Sequence, residues 1–295
     1  MPDSVDARRA VPGDDRTGRT TRGAATTGED QIVAQLNPIA ALTAECDALD
    51  EVLAGLSLPD WNRQTPAPGW TISHQVAHLA ATFALAGLAA EDPVAFKARL
   101  TGLSQHFDTS VQQALQPYLN DPPDVLMQRW QAERTNASAA LAAVAEDELV
   151  PWLVNPLPPG VLAMAGMMEV FAHGQDIADA LGLRPERTDR IRFLVEFAVR
   201  TWTFGYLARN LEGPQVEFRY ELTGPSGRTW TYGPEDATDR ITGSAEDFCL
   251  LVTRRRHRAD LDVTAAGEAA EHWMDIAQCY RGPAGAGRRP GQFTR

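Results

Sequence analysis

MAGMMEVFAHGQDIADAL, residues 164–181, indicates a buried helix on which the remainder of the chain can be organised. The stretch places Glu169 and His173 four residues apart, and side chains at i and i+4 share one face of a helix. A carboxylate flanked by Met168 and Val170 is costly to bury without a cation, an arginine or a proton. We therefore predict a core helix that carries two metal-capable side chains, with an arginine partner as the alternative for Glu169.

A second apolar stretch, TISHQVAHLAATFALAGLAA at residues 71–90, supplies two more histidines with the same spacing. His74 falls in the first turn after Thr71, where exposure to solvent is expected, whereas His78 lies one turn deeper among apolar residues. A lone histidine in an apolar helix is more often a hydrogen-bonded core residue than a ligand. The first stretch, however, supplies a glutamate and a histidine that could bind the same metal. We therefore choose His78 as the third candidate ligand.

The set of His78, Glu169 and His173 has the composition expected of a catalytic zinc site, because two histidines and one carboxylate leave a coordination position open. The alternative for His173 is a capped or exposed position. The spacing of the pair is ExxxH rather than HExxH, so the metalloprotease template does not apply. Asp176 is either an acceptor that orients a ligand histidine or a surface carboxylate, and Trp70 is a candidate for the rim of a pocket.

The composition is that of a soluble globular protein, with 295 residues, 44% of them hydrophobic and 22% charged. The net charge of −12 argues against a nucleic-acid partner held through its phosphates. The local exception is a basic run of Arg254, Arg255, Arg256 and Arg258. Because Lys97 is the only lysine among 27 cationic residues, codon bias in a GC-rich genome explains the arginines better than phosphate recognition does.

The cysteines Cys46, Cys249 and Cys279 are widely separated and have no CxxC spacing, so neither a disulfide framework nor a thiolate zinc site is indicated. This pattern fits a reducing cytoplasm. No apolar h-region follows Arg8-Arg9, and no apolar run reaches membrane-spanning length. We expect a soluble protein with no membrane partner. Neither a GxSxG elbow nor a P-loop motif is present, which argues against nucleotide binding.

The sequence predicts four segments. Residues 1–29 have almost no large apolar side chains and are expected to be a disordered leader. Residues 30–185 carry four long helices and are expected to form a bundle, whose interior is a usual place for metal ligands. Residues 186–281 are predicted to form a smaller α/β domain, and residues 282–295 a flexible tail. The predicted fold class is α+β, a four-helix bundle followed by this smaller domain.

Local patterns place the elements of the second domain. Alternation of apolar and polar residues predicts strands, and apolar periodicity predicts helices. The strands are expected at 216–222, around Trp230 and Tyr232, and around Ile241, and the helices at 188–210, 246–255 and 267–280. At the other end of the chain, Asn37-Pro38 is either an N-cap with proline in the first helical position or a kink.

Three stretches resemble a known family: TPAPGWTISHQVAHLA at residues 65–80, MEVFAHGQDIADALG at 168–182 and AEDFCLLVTRRR at 245–256. They are similar to DinB-like metalloenzymes of the mycothiol-dependent maleylpyruvate isomerase type. The resemblance extends over nearly everything after the leader. It implies a DinB-like helical bundle with a smaller C-terminal domain.

The resemblance also implies a site and an activity. A histidine of the first stretch and the glutamate and histidine of the second bind a divalent metal, usually zinc, in that family, and these positions match His78, Glu169 and His173. An arginine of the C-terminal domain helps to bind an acidic substrate, and within Arg254 to Arg256 we choose Arg255. A small thiol, mycothiol in actinobacteria, serves as cosubstrate.

The expected function is therefore a metal-dependent, thiol-using transferase or isomerase that acts on a small electrophilic molecule. The thiol is expected to be mycothiol or another low-molecular-weight thiol. The alternative is a module that binds a metal and a small ligand without turnover, for sequestration, resistance or regulation. The sequence does not indicate an oligomeric state.

Overall fold

The computed structural model describes residues 37–102, 106–153 and 155–293. The predicted disordered leader, residues 1–29, lies outside this part of the chain. The first described helix begins at Pro38, and the side chain of Asn37 accepts a hydrogen bond of 2.8 Å from the backbone N–H of Ala40. Asn37 is therefore an N-cap, and the kink is excluded at this position.

The described residues before Gly182 contain six helices: α1 (Pro38–Ala54), α2 (Ile72–Glu91), α3 (Pro93–Thr101), α4 (Phe107–Leu119), α5 (Pro123–Ala143) and α6 (Pro159–Leu181). Helices α1, α2, α5 and α6 are long, which confirms the predicted bundle. A proline stands at the start of four of the six, where its missing N–H costs no helical hydrogen bond. The two exceptions are α2, which begins after Thr71, and α4, which begins at Phe107.

Helix α2 packs against α4, α5 and α6, while α1 packs against α5 and α6. Two glycines permit close approach of these helices. A Cβ atom at Gly87 of α2 would lie 3.4 Å from the Cα atom of Ala137 in α5, and one at Gly166 of α6 would lie 2.9 Å from a methyl of Leu42 in α1. The packing sets α2 and α6 side by side, and these are the two helices that carry the candidate ligands.

Among the described residues, one helix, α2, is long and apolar enough to cross a membrane. Half of its apolar window is buried inside the protein. A core helix passes the same test, and the packing of α2 against three other helices is that of a core helix.

The C-terminal part contains two short helices, a mixed sheet and two further helices: α7 (Arg192–Arg200), α8 (Phe204–Leu207), β1 (Phe218–Thr223), β2 (Thr229–Tyr232), β3 (Asp239–Ser244), α9 (Ala245–Val252), β4 (Val263–Ala266) and α10 (Glu268–Ile276). The strand order is β2-β1-β3-β4. Strands β1 and β3 are parallel, with Tyr220 opposite Ile241, and the two outer pairs are antiparallel. The predicted smaller α/β part is confirmed.

The predicted helix over 188–210 is wrong as a single element, because the chain turns between α7 and α8. The carbonyl oxygen of Trp202, which lies in this turn, accepts a hydrogen bond of 2.9 Å from the indole N–H of Trp273. The Trp202 ring packs against Tyr206 and Phe218. Tertiary contacts to the sheet side of the domain thus replace the helical hydrogen bonds that local periodicity predicted.

Three smaller predictions also differ from the structure. The helix expected at 246–255 ends at Val252, and Arg254 has a positive φ of 60° just beyond it. The helix expected at 267–280 ends at Ile276. Strand β4 was not expected from the sequence, since its four residues are too short to show alternation and they are held by pairing with β3.

The segment 282–293, within the predicted flexible tail, has neither helix nor strand but is held at several points. The Arg288 guanidinium hydrogen-bonds Asp176, and the backbone N–H of Gly291 bonds the carboxylate of Asp260 at 2.9 Å. The structure therefore places this segment against the folded chain.

One apolar core runs through both parts, from Ala41 in α1 to Cys279 beyond α10. The division into residues 30–185 and 186–281 stays a prediction.

Candidate metal centre

The structure brings His78 of α2 together with Glu169 and His173 of α6. The Nε2 atoms of His78 and His173 lie 3.4 and 3.3 Å from the same carboxylate oxygen, Oε2 of Glu169. The three donor atoms lie within 4.8 Å of one another. Among the described residues, these three side chains are the group that could hold a metal ion. Two helices that pack side by side thus converge a two-histidine, one-carboxylate set on one point.

An aromatic ring forms one wall of this group. The indole of Trp70 stacks on His173 with ring centroids 5.9 Å apart and lies 5.4 Å from the ring of His78. The side chains of His78 and Glu169 remain 20% and 23% exposed. The centre is therefore walled on one side and accessible on another, which leaves room for a small molecule.

A chain of hydrogen bonds fixes the orientation of His173. The hydroxyl of Thr65 donates to the carbonyl oxygen of Trp70, and the amide nitrogen of Gln75 donates to the Thr65 hydroxyl, both at 2.8 Å. The amide oxygen of Gln75 consequently faces Nδ1 of His173 at 2.5 Å. An amide oxygen only accepts, so Nδ1 carries the proton and Nε2 of the neutral ring presents its lone pair towards Glu169.

The electrostatics of the centre keep the histidine neutral and the glutamate charged. Burial lowers the pKa of His173 to about 4, and nearby His78 and Arg255 act in the same direction, against the effect of Glu169. Burial alone would raise the pKa of the Glu169 carboxyl, but its contacts with His173 and His78 bring it well below its ordinary value. At neutral pH the group therefore offers neutral imidazole and ionised carboxylate, the protonation states that a metal requires of its ligands.

His74, the competing histidine on α2, is used by the helix itself. Its Nδ1 atom lies 2.8 Å from the hydroxyl of Thr71 and accepts from the Thr71 backbone N–H at 3.3 Å. These contacts stabilise the first turn of α2 and keep Nδ1 of His74 away from Glu169.

Asp176 occupies neither of the two positions expected for it. Its carboxylate is fully buried and lies 2.9 Å from a guanidinium nitrogen of Arg255 and 2.6 Å from one of Arg288. The acceptor that orients His173 is Gln75 of α2. The only sequence signal for Gln75 was its position three residues before His78, on the same helix face.

The structure places Arg255 beside the candidate ligands. Its Nε atom donates to the carbonyl oxygen of Ala172, the residue before His173, at 3.1 Å. Arg256 instead binds Asp179 through two hydrogen bonds of 2.7 and 2.8 Å, and Arg254 reaches the carbonyl oxygen of Gly285 at 3.4 Å. Within the arginine run, Arg255 is thus the side chain joined to the segment of α6 that carries the histidine.

The cysteines offer no nucleophile of their own. Cys46, Cys249 and Cys279 are all buried and free. Burial raises the pKa of each thiol, and for Cys279 the charge of Glu169 adds to the effect. A buried thiol with a raised pKa is inert, so any thiolate chemistry at this centre requires a thiol from outside the chain.

Two surface cavities lie away from the triad. One, of about 550 Å³, is lined by residues that include Arg187, Thr223 and Ser244, at the carboxyl ends of β1 and β3. The other, of about 850 Å³, lies along Trp202 and Tyr206. Neither lining includes His78, Glu169 or His173, and the donor set rather than cavity size identifies the candidate site.

Comparison with protein families gives two matches. Residues 42–178 match the family described as the mycothiol maleylpyruvate isomerase N-terminal domain. This range contains all three candidate ligands. Residues 214–266, which include the four strands, match a family described as wyosine base formation.

Known proteins with similar sequences or folds were also found. Uncharacterized proteins from two strains of Mycobacterium tuberculosis are each 42% identical over 250 residues, or 85% of this chain and 97% of the relative. Crystal structures of mycothiol-dependent maleylpyruvate isomerase and of its histidine-to-alanine mutant match with TM-scores of 0.50 and 0.52 at 16% and 15% identity. Each match covers 77% of this chain and 91% of the chain in the crystal structure. At this identity the likeness shows the shared fold.

Proposed function

We propose a metal-dependent, thiol-using function for this chain, which belongs to the DinB-like family of the mycothiol-dependent maleylpyruvate isomerase type. The family supports a thiol-dependent isomerase role. The finer proposal is a transferase or isomerase that joins a small thiol, most simply mycothiol, to a small electrophilic substrate. The proposed location is the cytoplasm, where such a thiol is kept reduced.

The observation that carries the proposal is the orientation of His173. Because Nδ1 donates to Gln75, the lone pair of Nε2 points at a carboxylate oxygen of Glu169 only 3.3 Å away. Two acceptors that face each other at this distance repel unless a cation lies between them. The residues present therefore fit a metal ion. Among the described residues, no arginine or lysine pairs with Glu169 to supply this positive charge instead.

His78, Glu169 and His173 would hold one divalent metal, with zinc favoured by the nitrogen-rich donor set. When bound, the metal would supply a lowered pKa for a thiol at its open position, so that thiolate is available at neutral pH. The thiol has to come from outside, because the three cysteines of the chain are buried with raised pKa values.

The protein's own residues have separate tasks in this proposal. The Thr65–Gln75 hydrogen bonds hold His173 in one tautomer, and the Trp70 ring covers the histidines on one side. Arg255 provides positive charge for an acidic group of the substrate. In an isomerase, addition of the thiol to a conjugated double bond permits rotation before elimination, whereas in a transferase the product is released with the thiol attached.

The two parts of the chain cooperate in this scheme. We assign the ligands to the bundle, residues 30–185, and the substrate arginine to the C-terminal part, residues 186–281. Ion pairs across the junction, from Arg255 to Asp176 and from Arg256 to Asp179, support a fixed arrangement of the two.

Cobalt substitution tests the proposal directly, because thiolate bound to Co(II) gives an intense near-ultraviolet charge-transfer band that water does not give. Mycothiol, glutathione and a non-thiol analogue are titrated into cobalt-loaded protein at neutral pH. We expect a band with a thiol, its loss in His78→Ala, and its retention in the matched control His74→Ala. Protein that holds cobalt at these ligands but shows no band with any thiol would remove the transferase and isomerase proposals and leave the non-catalytic binding module.

A further inference from the structure

The cavity along Trp202 and Tyr206 has no part in the proposed function. Its volume of about 850 Å³ is in the range of small-molecule sites. The two aromatic residues line it together with the segment 211–217, which connects α8 to β1. A Cβ atom at Gly213 would lie 3.7 Å from each of the two rings, so this segment crosses them at close range.

Aliphatic side chains of the cavity are open to solvent. Leu207, Leu211 and Val216 all line it, and they are 55%, 44% and 37% exposed. Single exposed aliphatic residues are common on protein surfaces, but a group of them in one concave place marks a binding surface. The cavity therefore suits the apolar body of a ligand.

The charged side chains of the lining, Glu212 and Glu217, are both negative. Both are exposed, and neither carboxylate has a hydrogen bond or an ion pair with any other residue that the structure describes. Glu221 on the adjoining strand β1 differs, because it pairs with Arg219 and Arg240 at 3.1 Å. The cavity thus has two carboxylates whose positive partners are not supplied by the described part of the chain.

The one cationic side chain within residues 201–217, Arg209, does not fill this role. Its guanidinium donates to the carbonyl oxygens of Gly205 and Ile276 at 2.8 and 3.2 Å, and it is not part of the lining. Two unpaired carboxylates on an apolar wall attract a cation more strongly than carboxylates surrounded by water do.

We propose that this cavity binds a small hydrophobic cation, in which an ammonium group is attached to an aromatic or branched aliphatic body. Glu212 and Glu217 neutralise the ammonium group, and Leu207 and Leu211 contact the apolar body. Trp202 adds to the attraction, because indole is the aromatic ring with the strongest affinity for ammonium groups. The site uses none of the triad residues, so it does not depend on the proposed function.

Three probes of similar shape but different charge test this inference: naphthylmethylammonium, naphthylmethanol and naphthylacetate. Isothermal titration calorimetry with the purified full chain measures the affinity for each. We expect the ammonium to bind about tenfold more tightly than the neutral alcohol, and the carboxylate to bind more weakly than the alcohol. In the double variant Glu212→Gln/Glu217→Gln, the ammonium should lose most of this advantage while the affinity for the alcohol stays the same.

The control is the double variant Glu146→Gln/Glu148→Gln. It removes the same net charge from exposed positions between α5 and α6 that do not line the cavity, and it should keep the wild-type preference. Leu211→Ser tests the apolar part of the site at an exposed position where the fold is not at risk. It should weaken the binding of all three probes, because each has the same apolar body.

Equal affinity of the wild type for the ammonium and the alcohol overturns the inference, and so does a preference that survives the loss of both carboxylates. A wild type that binds none of the probes also overturns it. Sedimentation velocity then identifies the other occupant: self-association of the wild type that is lost in Leu211→Ser would show that a second copy of the chain covers this surface.

Discussion

The Nδ1 atom of His173 lies 2.5 Å from the amide oxygen of Gln75, although 98 residues separate the two in the chain. This contact determines which nitrogen of the imidazole is free. Because the proton is on Nδ1, Nε2 faces Glu169 as a lone pair. The hydrogen bond between α2 and α6 thus orients the His173 lone pair for a metal ion in the protein without metal.

Replacement of Gln75 should therefore weaken metal binding without touching a ligand. We expect Gln75→Leu to lower the affinity for zinc by about 10-fold to 100-fold, as is usual when the partner of a ligand histidine is lost. Competition with a chromophoric chelator measures the affinity. Gln75→Glu keeps an acceptor for Nδ1 and should retain tighter binding than the leucine variant, so equal loss in the two variants would contradict the orienting role.

The three candidate ligands predict one divalent metal per chain. Elemental mass spectrometry on purified protein should find stoichiometric metal in the wild type and strongly reduced metal in His78→Ala, Glu169→Ala and His173→Ala. The melting temperature should fall with the metal, since an ion bound only to the native state stabilises it by mass action.

His74→Ala is the matched control for that experiment. It removes a histidine from the same helix, but one whose Nδ1 contacts Thr71 in the first turn. We expect full metal content and a modest loss of stability. Undiminished metal in all three ligand variants would rule out the site.

The lowered pKa of His173 predicts acid sensitivity of the metal-free protein. Burial brings this pKa from 6.5 to about 4 in the native state. The unfolded chain therefore binds more protons between these values, and the free energy of unfolding decreases as the pH falls from 6.5 towards 4. The contribution is fully present above pH 6.5, and its loss amounts to at most roughly 3 kcal/mol.

Urea denaturation of chelator-treated protein at several pH values measures this effect. His173→Gln lacks the titrating imidazole, so its stability should change less between pH 6.5 and 4 than that of the wild type. Two stability curves that run parallel over this interval would show that His173 does not contribute the predicted dependence.

The bundle and the positions of its candidate ligands were accessible from the sequence because they depend on local spacing. Glu169 and His173 share a face of α6 by helical periodicity alone, and the first-turn position of His74 after Thr71 already favoured His78. The choice of Arg255 came from the family resemblance, and the structure places this residue next to Ala172.

The parts that were missed depend on contacts between distant segments. Neither the hydrogen bond from His173 to Gln75 nor the pairing of Asp176 with Arg288, 112 residues away, has a local signal. The break after α7 has the same origin, since the carbonyl of Trp202 is taken by Trp273. Local periodicity cannot register such partners.

Asp176 gives the strongest stability prediction. Its carboxylate is almost completely buried and serves Arg255 and Arg288 together. Asp176→Asn keeps the shape but removes the charge, which leaves two guanidinium groups without a counter-ion. Breaking a buried pair in this way costs about 3–5 kcal/mol, because the remaining charges stay desolvated. Urea denaturation should show this loss, whereas Glu271→Gln, at an exposed pair with Arg258, should cost less than about 1 kcal/mol.

A double-mutant cycle identifies the cause of the loss at Asp176. If the cost arises from the stranded arginines, Asp176→Asn should be less destabilising in the Arg288→Ala background, where one of the two is already gone. The coupling would be about 1 kcal/mol or more, since a guanidinium nitrogen of Arg288 lies 2.6 Å from the Asp176 carboxylate. Additive effects would mean that Asp176 and Arg288 act independently, and the stranded arginine charge would not be the cause of the loss.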